Sequence, residues 1–404
     1  MTRPTPFHSR TSPLNEGQRW EDWEGFLAAT MYGLDALMEY NAIRLGCGLF
    51  DVSPLHKYEV RGRDAKAFLQ RMVVRNLAPS RPGRGFYTVW CDDDGKVIDD
   101  GAVFQIAETH LRLTSTLPSF EWLLDNSNGF DVTIEDVSEE VVGIAIQGPT
   151  SRDLLQKLTS VDLGALKFWH CTRADVSGSP ALISRSGYTG DLGFEIFLQP
   201  EDAETVWDSA MALASDYQMR PCGLVALDMT RIEAGLLQLD AEFISAKKTL
   251  FEIQKISPLE LGVGWMCKLD GDFFVGRDAL IQEKANGTSR WNTVGIELDV
   301  TYIEKYFQEF EMPLHLPEQS WNEVVPIYSD EAQEDLIGRG TSGMWSPLLK
   351  KYIVIARVPP QYAKRGSRFF IEEMIEAKAF SIPARVVDMP FFDPPRKKDV
   401  MTDS

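Results

Sequence analysis

Two adjacent acids, Asp99 and Asp100 in KVIDDGAV, lie in a run that reads as a strand. Successive strand side chains point to opposite faces, so only one of the pair can look into a cavity. A carboxylate held there can accept a proton from a reacting group or steady a developing positive charge. Asp100 is the preferred candidate and Asp99 the alternative, whereas Asp92, Asp93 and Asp94 read as a solvated turn. Glu195, in GDLGFEI, is the third acid of interest, because an ionised side chain in an otherwise apolar strand is costly unless paired.

Other candidates have two readings each. His56, in DVSPLH, is a substrate contact, an acid for a leaving group, or a satisfied structural histidine. Tyr188, at the GYTG corner, is a ligand wall or hydrogen-bond partner, or core packing. Gln147, in IQGP, serves the following turn or a ligand; Arg231 and Glu233, in TRIEAG, form an internal ion pair or touch substrate. Trp90 and Phe86, on the strand before the aspartates, offer ring faces to a cationic or aromatic methyl group, or fill a core.

Composition bounds what such groups can serve. The chain has 404 residues, 44% of them hydrophobic, enough for two or three cores. A formal charge of −19 and a pI near 4.8 argue against nucleic acid and anionic membranes as partners. No apolar run approaches a membrane span, and the polar start lacks a signal-peptide core, which makes the cytoplasm the expected compartment. Five cysteines without a C-x-x-C pair and five scattered histidines indicate neither a disulfide framework nor a metal site.

The elements that must position these residues alternate irregularly between helix and strand, which predicts an α+β fold. Residues 19–46 open with a helical pattern whose apolar face is Leu34, Leu37, Met38, Ala42 and Leu45. FYTVWCDDDGKVIDDGAVFQIA predicts a hairpin with carboxylates at its tip and mid-strand, VGIAIQGPTSRDLLQKL a strand, tight turn and helix, and LVALDMTRIEAGLL a buried helix. Residues 274–290 read as a hinge, and short strands from Asn292 onward predict a β-rich domain as a small barrel or sandwich. An aromatic amphipathic helix with a Pro-rich loop interrupts it at 301–324, read first as a lid on its own domain and second as a partner-binding element.

Six stretches in order, GCGLFDVSPLHKYEVRGRDAKAFLQ, GKVIDDGAVF, GIAIQGP, SGYTGDLGFEIF, TRIEAG and TSGMWSPLLKKYIVIARV, resemble the glycine-cleavage T-protein (aminomethyltransferase) family. The resemblance runs from about Trp20 to Pro395. It implies an α+β, three-domain cloverleaf with a central folate channel and a C-terminal β-barrel domain. The expected division is a folate-binding region of two interleaved α+β domains over 15–285 and a barrel over 290–397. The implied cofactor is tetrahydrofolate. Glu195 matches the acid that holds the pterin, and the catalytic aspartate falls within the pair at 99 and 100. Tyr188, Gln147, Arg231 and Trp90 are the further candidate contacts, with His56 beside the aspartates in a catalytic role.

The chain departs from true T proteins at three points. Leu227 stands where they carry an arginine, Thr114, Ser115 and Thr116 replace an expected asparagine, and DVSPLH displaces the histidine of DVSHM by two. These changes resemble the demethylase branch and imply methyl transfer from a small O-, S- or N-methylated substrate onto tetrahydrofolate. The alternatives are an aminomethyltransferase acting on a lipoyl carrier protein and a non-catalytic folate-binding regulator. Self-association is left open.

Overall fold

A computed structural model describes residues 2–400 as three lobes. The first lobe is a five-stranded antiparallel sheet ordered Arg84–Cys91, Val97–Ala107, His110–Ser115, His56–Arg61 and Thr133–Asp136. One of its faces buries Tyr58, Phe86, Trp90 and Val103 against Phe68, Leu69 and Met72 of helix Ala65–Met72. The second lobe is a six-stranded sheet, Cys171–Val176, Ser179–Ser184, Gly193–Leu198, Val142–Gln147, Cys47–Asp51 and Met219–Pro221, only the last pairing being parallel. Its outer face packs Ile144, Ile146, Phe194 and Ile196 on helices Ser151–Gln156 and Ala203–Met211. Each fully buried aliphatic or aromatic side chain there is worth about 1.5–3 kcal/mol in apolar area removed from water.

The two remaining faces meet each other. Phe104 of the first sheet packs with Leu182 and Phe197 of the second, so the functional strands of both lobes line one seam. The third lobe is a closed barrel of six strands, Asn292–Leu298, Lys351–Val358, Leu336–Ser346, Val325–Tyr328, Arg368–Ile375 and Lys378–Val387. Closure leaves no free sheet edge. Helices Ala36–Leu45 and Leu224–Glu233 join it to the rest through Tyr40, Met229, Ile232, Met344, Ile353 and Ile355.

Three local expectations are corrected. The span 19–46 begins not as helix but as a hairpin, Trp20–Trp23 against Phe26–Ala29, whose two linking residues, Glu24 and Gly25, both have positive φ (47° and 84°). That is the backbone of the two-residue turn that suits strand twist. Leu34, just before the helix that follows, and Met38 and Leu45 within it are 70%, 49% and 65% exposed. The inward side is instead built on Tyr40, Ile43 and two buried charges, Glu39 and Arg44. Residues 274–290 are no hinge: helix Arg277–Asn286, bracketed by left-handed Gly276 and Gly287, buries Leu280 against the hairpin core.

The insertion folds as helix Val300–Glu309, capped by Asp299, whose carboxylate accepts the Thr301 N–H at 3.1 Å. Its following loop returns to the barrel, where the Trp321 indole donates to the Tyr352 hydroxyl at 3.0 Å.

Candidate active site

The hairpin register puts the two aspartates on opposite faces. Asp100 pairs with Val89 and shares its face with Tyr87 and Val89, toward the seam; Asp99 pairs with Trp90 on the opposite side. Both Asp99 oxygens are consumed by backbone, Oδ1 accepting the Asp100 N–H and Oδ2 the Leu117 N–H, each at 2.8 Å. Asp99 therefore clamps the chain after strand His110–Ser115. Asp100 accepts one side-chain bond, from the Tyr87 hydroxyl to Oδ2 at 2.7 Å, and Oδ1 has no side-chain donor among the described residues. Burial pushes its carboxyl up to about 6, against the pull of the Tyr87 hydroxyl. The same desolvation, with Asp100 alongside, pushes Asp99 up as well.

Glu195 is the one residue of its strand not fully buried, and it faces the seam beside Phe197. The Ser186 hydroxyl donates to its Oε2; Oε1 has no donor among the described residues. Burial raises its carboxyl, and the serine pulls it back. Two residues beyond that serine, Tyr188 donates its hydroxyl to the Leu237 carbonyl. The charges of Arg231, Asp100 and Glu242 all bear on that hydroxyl, so Tyr188 sits between the acid of the first lobe and the central helix.

Gln147 serves the turn. Its Oε1 accepts the Thr189 hydroxyl at 3.1 Å, and its amide donates to the Ser186 and Phe194 carbonyls at 3.1 and 3.4 Å. A Cβ on Gly187 or Gly193 would come within 1.9 and 2.1 Å of Gln147 Oε1, so this amide and two glycines together set the loop that carries Ser186 and Tyr188. Gly148 completes the corner at φ +132°, where a side chain would strike the Gly46 and Ile43 carbonyls at 2.5 Å.

Arg231 and Glu233 do not pair with each other, since residues two apart on a helix diverge. Arg231 is 0% exposed and spends its whole guanidinium: Nε on Asp228 at 2.8 Å, Nη1 on Glu242 at 2.6 Å and the Leu236 carbonyl at 3.2 Å, Nη2 on Asn322 at 2.8 Å and Ser342 at 2.7 Å. It fastens the central helix to the barrel and to the loop after the insertion, with no donor to spare for substrate. Glu233 instead takes Arg44 at 2.6 Å and the hydroxyls of Tyr40 and Ser346, each at 2.5 Å.

Trp90 and Phe86 lie on the helix-covered face, away from Asp100, and the Trp90 indole N–H is buried without a partner among the described residues. His56 pairs with Ser115, which pairs with Gly101, so its ring leaves the sheet on the Asp99 side and stacks on Tyr58 at 6.3 Å. Burial lowers its pKa. The structure thus brings Asp100 and Tyr188 together, sets Glu195 across the seam, and sends His56, Trp90 and Asp99 elsewhere. Sequence reasoning missed Tyr87, Ser186 and Glu242. Tyr87 was readable, being on the strand face that period-2 alternation gives to Asp100's partner Val89; Glu242 lies in an irregular loop, LDAEF, with no periodic signal.

These three lobes, with an open carboxylate on each of two facing sheets and a buried charge hub beneath, define a three-lobed α+β fold with an acid-lined seam. Residues 10–271 match the GCVT N-terminal domain, and residues 312–393 match the glycine cleavage T-protein C-terminal barrel domain. The chain is 34% identical over 367 residues to an aminomethyltransferase of Caldanaerobacter subterraneus subsp. tengcongensis, covering 90% of this chain and 89% of the relative. It is 35% identical over 378 residues to one of Clostridium botulinum, covering 91% and 93%. The crystal structure of glycine cleavage system aminomethyltransferase T from Bartonella henselae superposes with a TM-score of 0.81 at 21% identity, over 97% of this chain and 99% of that one. The chain belongs to the glycine-cleavage T-protein (aminomethyltransferase) family. No helix among the described residues is long and apolar enough to cross a membrane.

Proposed function

We propose that the chain is a tetrahydrofolate-dependent one-carbon transferase whose donor is the aminomethyl group borne by a lipoyl carrier protein. The observation that carries this reading is Asp100, an acid raised to about 6 on the seam face, with the Tyr87 hydroxyl as its one side-chain donor among the described residues. A reduced pterin fits the residues present. Its ring N–H groups need an acceptor in an apolar wall, and Glu195 Oε1 is one; Tyr188 gives an aromatic surface nearby.

The folate supplies a nucleophilic nitrogen for the one-carbon unit. Glu195 grips the ring and so fixes which edge faces Asp100, which lowers the entropic cost of reaching the reactive geometry. Asp100 accepts or holds the proton at that nitrogen, and a carboxyl near 6 is mostly ionised at neutral pH yet basic enough to take one. Tyr87 keeps Oδ2 occupied so that Oδ1 faces the ligand. Relatives 34% and 35% identical over nine-tenths of the chain, named for aminomethyl transfer, support this choice of donor.

A second reading rests on Leu227. It packs with Phe50 and Ala145, the latter the strand partner of Glu195, so an apolar side chain stands where T proteins hold an arginine near the folate. That favours a small methylated donor, aromatic ether, sulfonium or amine, in place of a carrier protein. Product chemistry separates the two: purified protein with tetrahydrofolate and aminomethyl-loaded carrier should yield methylene-folate and ammonia, whereas a methylated donor yields methyl-folate. Asp100→Asn should abolish turnover and keep folate affinity. Absence of measurable tetrahydrofolate binding in calorimetry sinks both readings, and undiminished activity in the variant removes Asp100 from the chemistry.

A further inference from the structure

An open cleft lies away from the acids. It lies at the far end of the seam, has a volume of about 600 Å³, and is lined by residues such as Ile106, Arg112, Arg173, Leu182 and Phe197. Ile106 is six residues beyond Asp100 on one strand, roughly 20 Å at about 3.3 Å per residue, and the nearer wall of the cleft, Arg112, stands opposite Phe104, about 13 Å along. Phe104 and Phe197 meet between them at 5.8 Å, with Trp169 at 6.3 Å from Phe104, and wall the cleft from the acid-lined part of the seam. Its size is that of a small-molecule site.

Charge accounting shows what it would take. Glu59 is matched twice, by Arg112 Nε at 2.8 Å and Nη2 at 2.5 Å, and by the His110 ring. Asp175 Oδ1 is engaged by the Gly178 N–H at 2.7 Å, and Arg61 is committed to Glu135 at 2.5 Å. Two guanidinium groups still have N–H donors to offer, although Arg112 is charge-paired with Glu59 and the Asp175 carboxylate also lines the cleft. Arg112, 8% exposed, has an Nη1 with no partner among the described residues, and Arg173, exposed on the other sheet, has neither ion pair nor side-chain hydrogen bond among them. A buried guanidinium N–H without an acceptor is costly, and a carboxylate would meet it with a charge-assisted bond. The apolar surface beside these heads is flat, Arg112 already lying 5.6 Å from the Phe197 ring centre with Leu182 in the same wall.

We propose that this cleft is a second ligand site, for a small organic acid with a flat apolar body, its carboxylate held by Arg112 and Arg173 and its body on Phe197 and Leu182. The site is independent of the folate reading. Calorimetry with 2-naphthoate and its neutral amide, 2-naphthamide, tests it. The acid should bind saturably, one per chain, at least about tenfold tighter than the amide. Arg173→Ala should weaken the acid about tenfold and Ala181→Trp, which fills the cleft, should abolish binding, while saturating tetrahydrofolate leaves it unchanged. No saturable binding at millimolar naphthoate, equal affinities for acid and amide, an unaffected Arg173→Ala, or displacement by tetrahydrofolate would each overturn the proposal. Arg173 is exposed and its side chain makes no ion pair or hydrogen bond among the described residues, so its variant keeps the test decisive should Ala181→Trp fail to fold.

Discussion

Replacing Asp100 by asparagine should stabilise the protein above neutral pH while removing its activity. The folded carboxyl stands at about 6, against 3.8 for the ordinary side chain. A group raised in this way contributes stability that is complete below pH 3.8 and is lost as pH rises through about 6, because the fold prefers the protonated form that neutral solvent takes away. The shift corresponds to a ceiling of about 3 kcal/mol. Asparagine is neutral at every pH and its amide oxygen can still accept the Tyr87 hydroxyl, so the variant escapes the loss. Urea unfolding at intervals from about pH 4.5 to about pH 8 should show the two proteins converging at the acid end and the variant more stable by roughly 1–3 kcal/mol at the alkaline end. Asp99→Asn is the control. It gives up one of two backbone bonds at 2.8 Å, which should cost about 1–3 kcal/mol at acid pH, and because burial raises that carboxyl too the deficit should shrink as pH rises. A difference between wild type and Asp100→Asn that stays flat from pH 5 to 7, or a variant less stable at pH 8, would refute the electrostatic account of this acid. The strain it describes is of the kind that function keeps in place against stability.

Glu195→Gln should lower tetrahydrofolate affinity by roughly tenfold to a hundredfold, the worth of a charge-assisted hydrogen bond, with unfolding little changed; equal affinity in calorimetry removes Glu195 from the pterin's partners. Arg231→Met leaves Glu242 buried without its cation and should cost about 3–5 kcal/mol, read as a large fall in thermal midpoint. Gly193→Ala forces a Cβ to within 2.1 Å of Gln147 Oε1 and should destabilise by a few kcal/mol, partly restored when Gln147→Ala is added. A double-mutant cycle with no coupling would deny that Gln147 and this glycine form one clamp.

What could be read without coordinates was whatever is written locally. The Asp92–Gly95 turn announces the hairpin, and Gly148-Pro149 marks the corner before helix Ser151–Gln156. Alternation along KVIDDGAV required Asp99 and Asp100 to part company, but which one met the seam depended on the irregularity between Trp90 and Cys91 and on which face helix Ala65–Met72 would cover. Neither is visible from one strand, and the same ignorance put Trp90 and His56 with Asp100, although the register sends them to the other face. Helix Ala36–Leu45 shows a deeper limit. An apolar stripe is a sound guide only when the buried face is apolar; here Glu39 is solvated by the N–H groups of Tyr32, Gly33 and Gly223, and Arg44 by Glu233, partners up to 189 residues away. Those partners offset most of the cost of burying Glu39 and Arg44, and the helix turns them inward although Met38 and Leu45 are then left facing water. Arg231 repeats the pattern, its acceptors Asp228, Glu242, Asn322 and Ser342 coming from helix, loop, insertion and barrel. Such a hub fixes how the lobes meet and hence where Tyr188 and Asp100 stand, so the geometry of the seam is set by contacts that no local pattern could have announced.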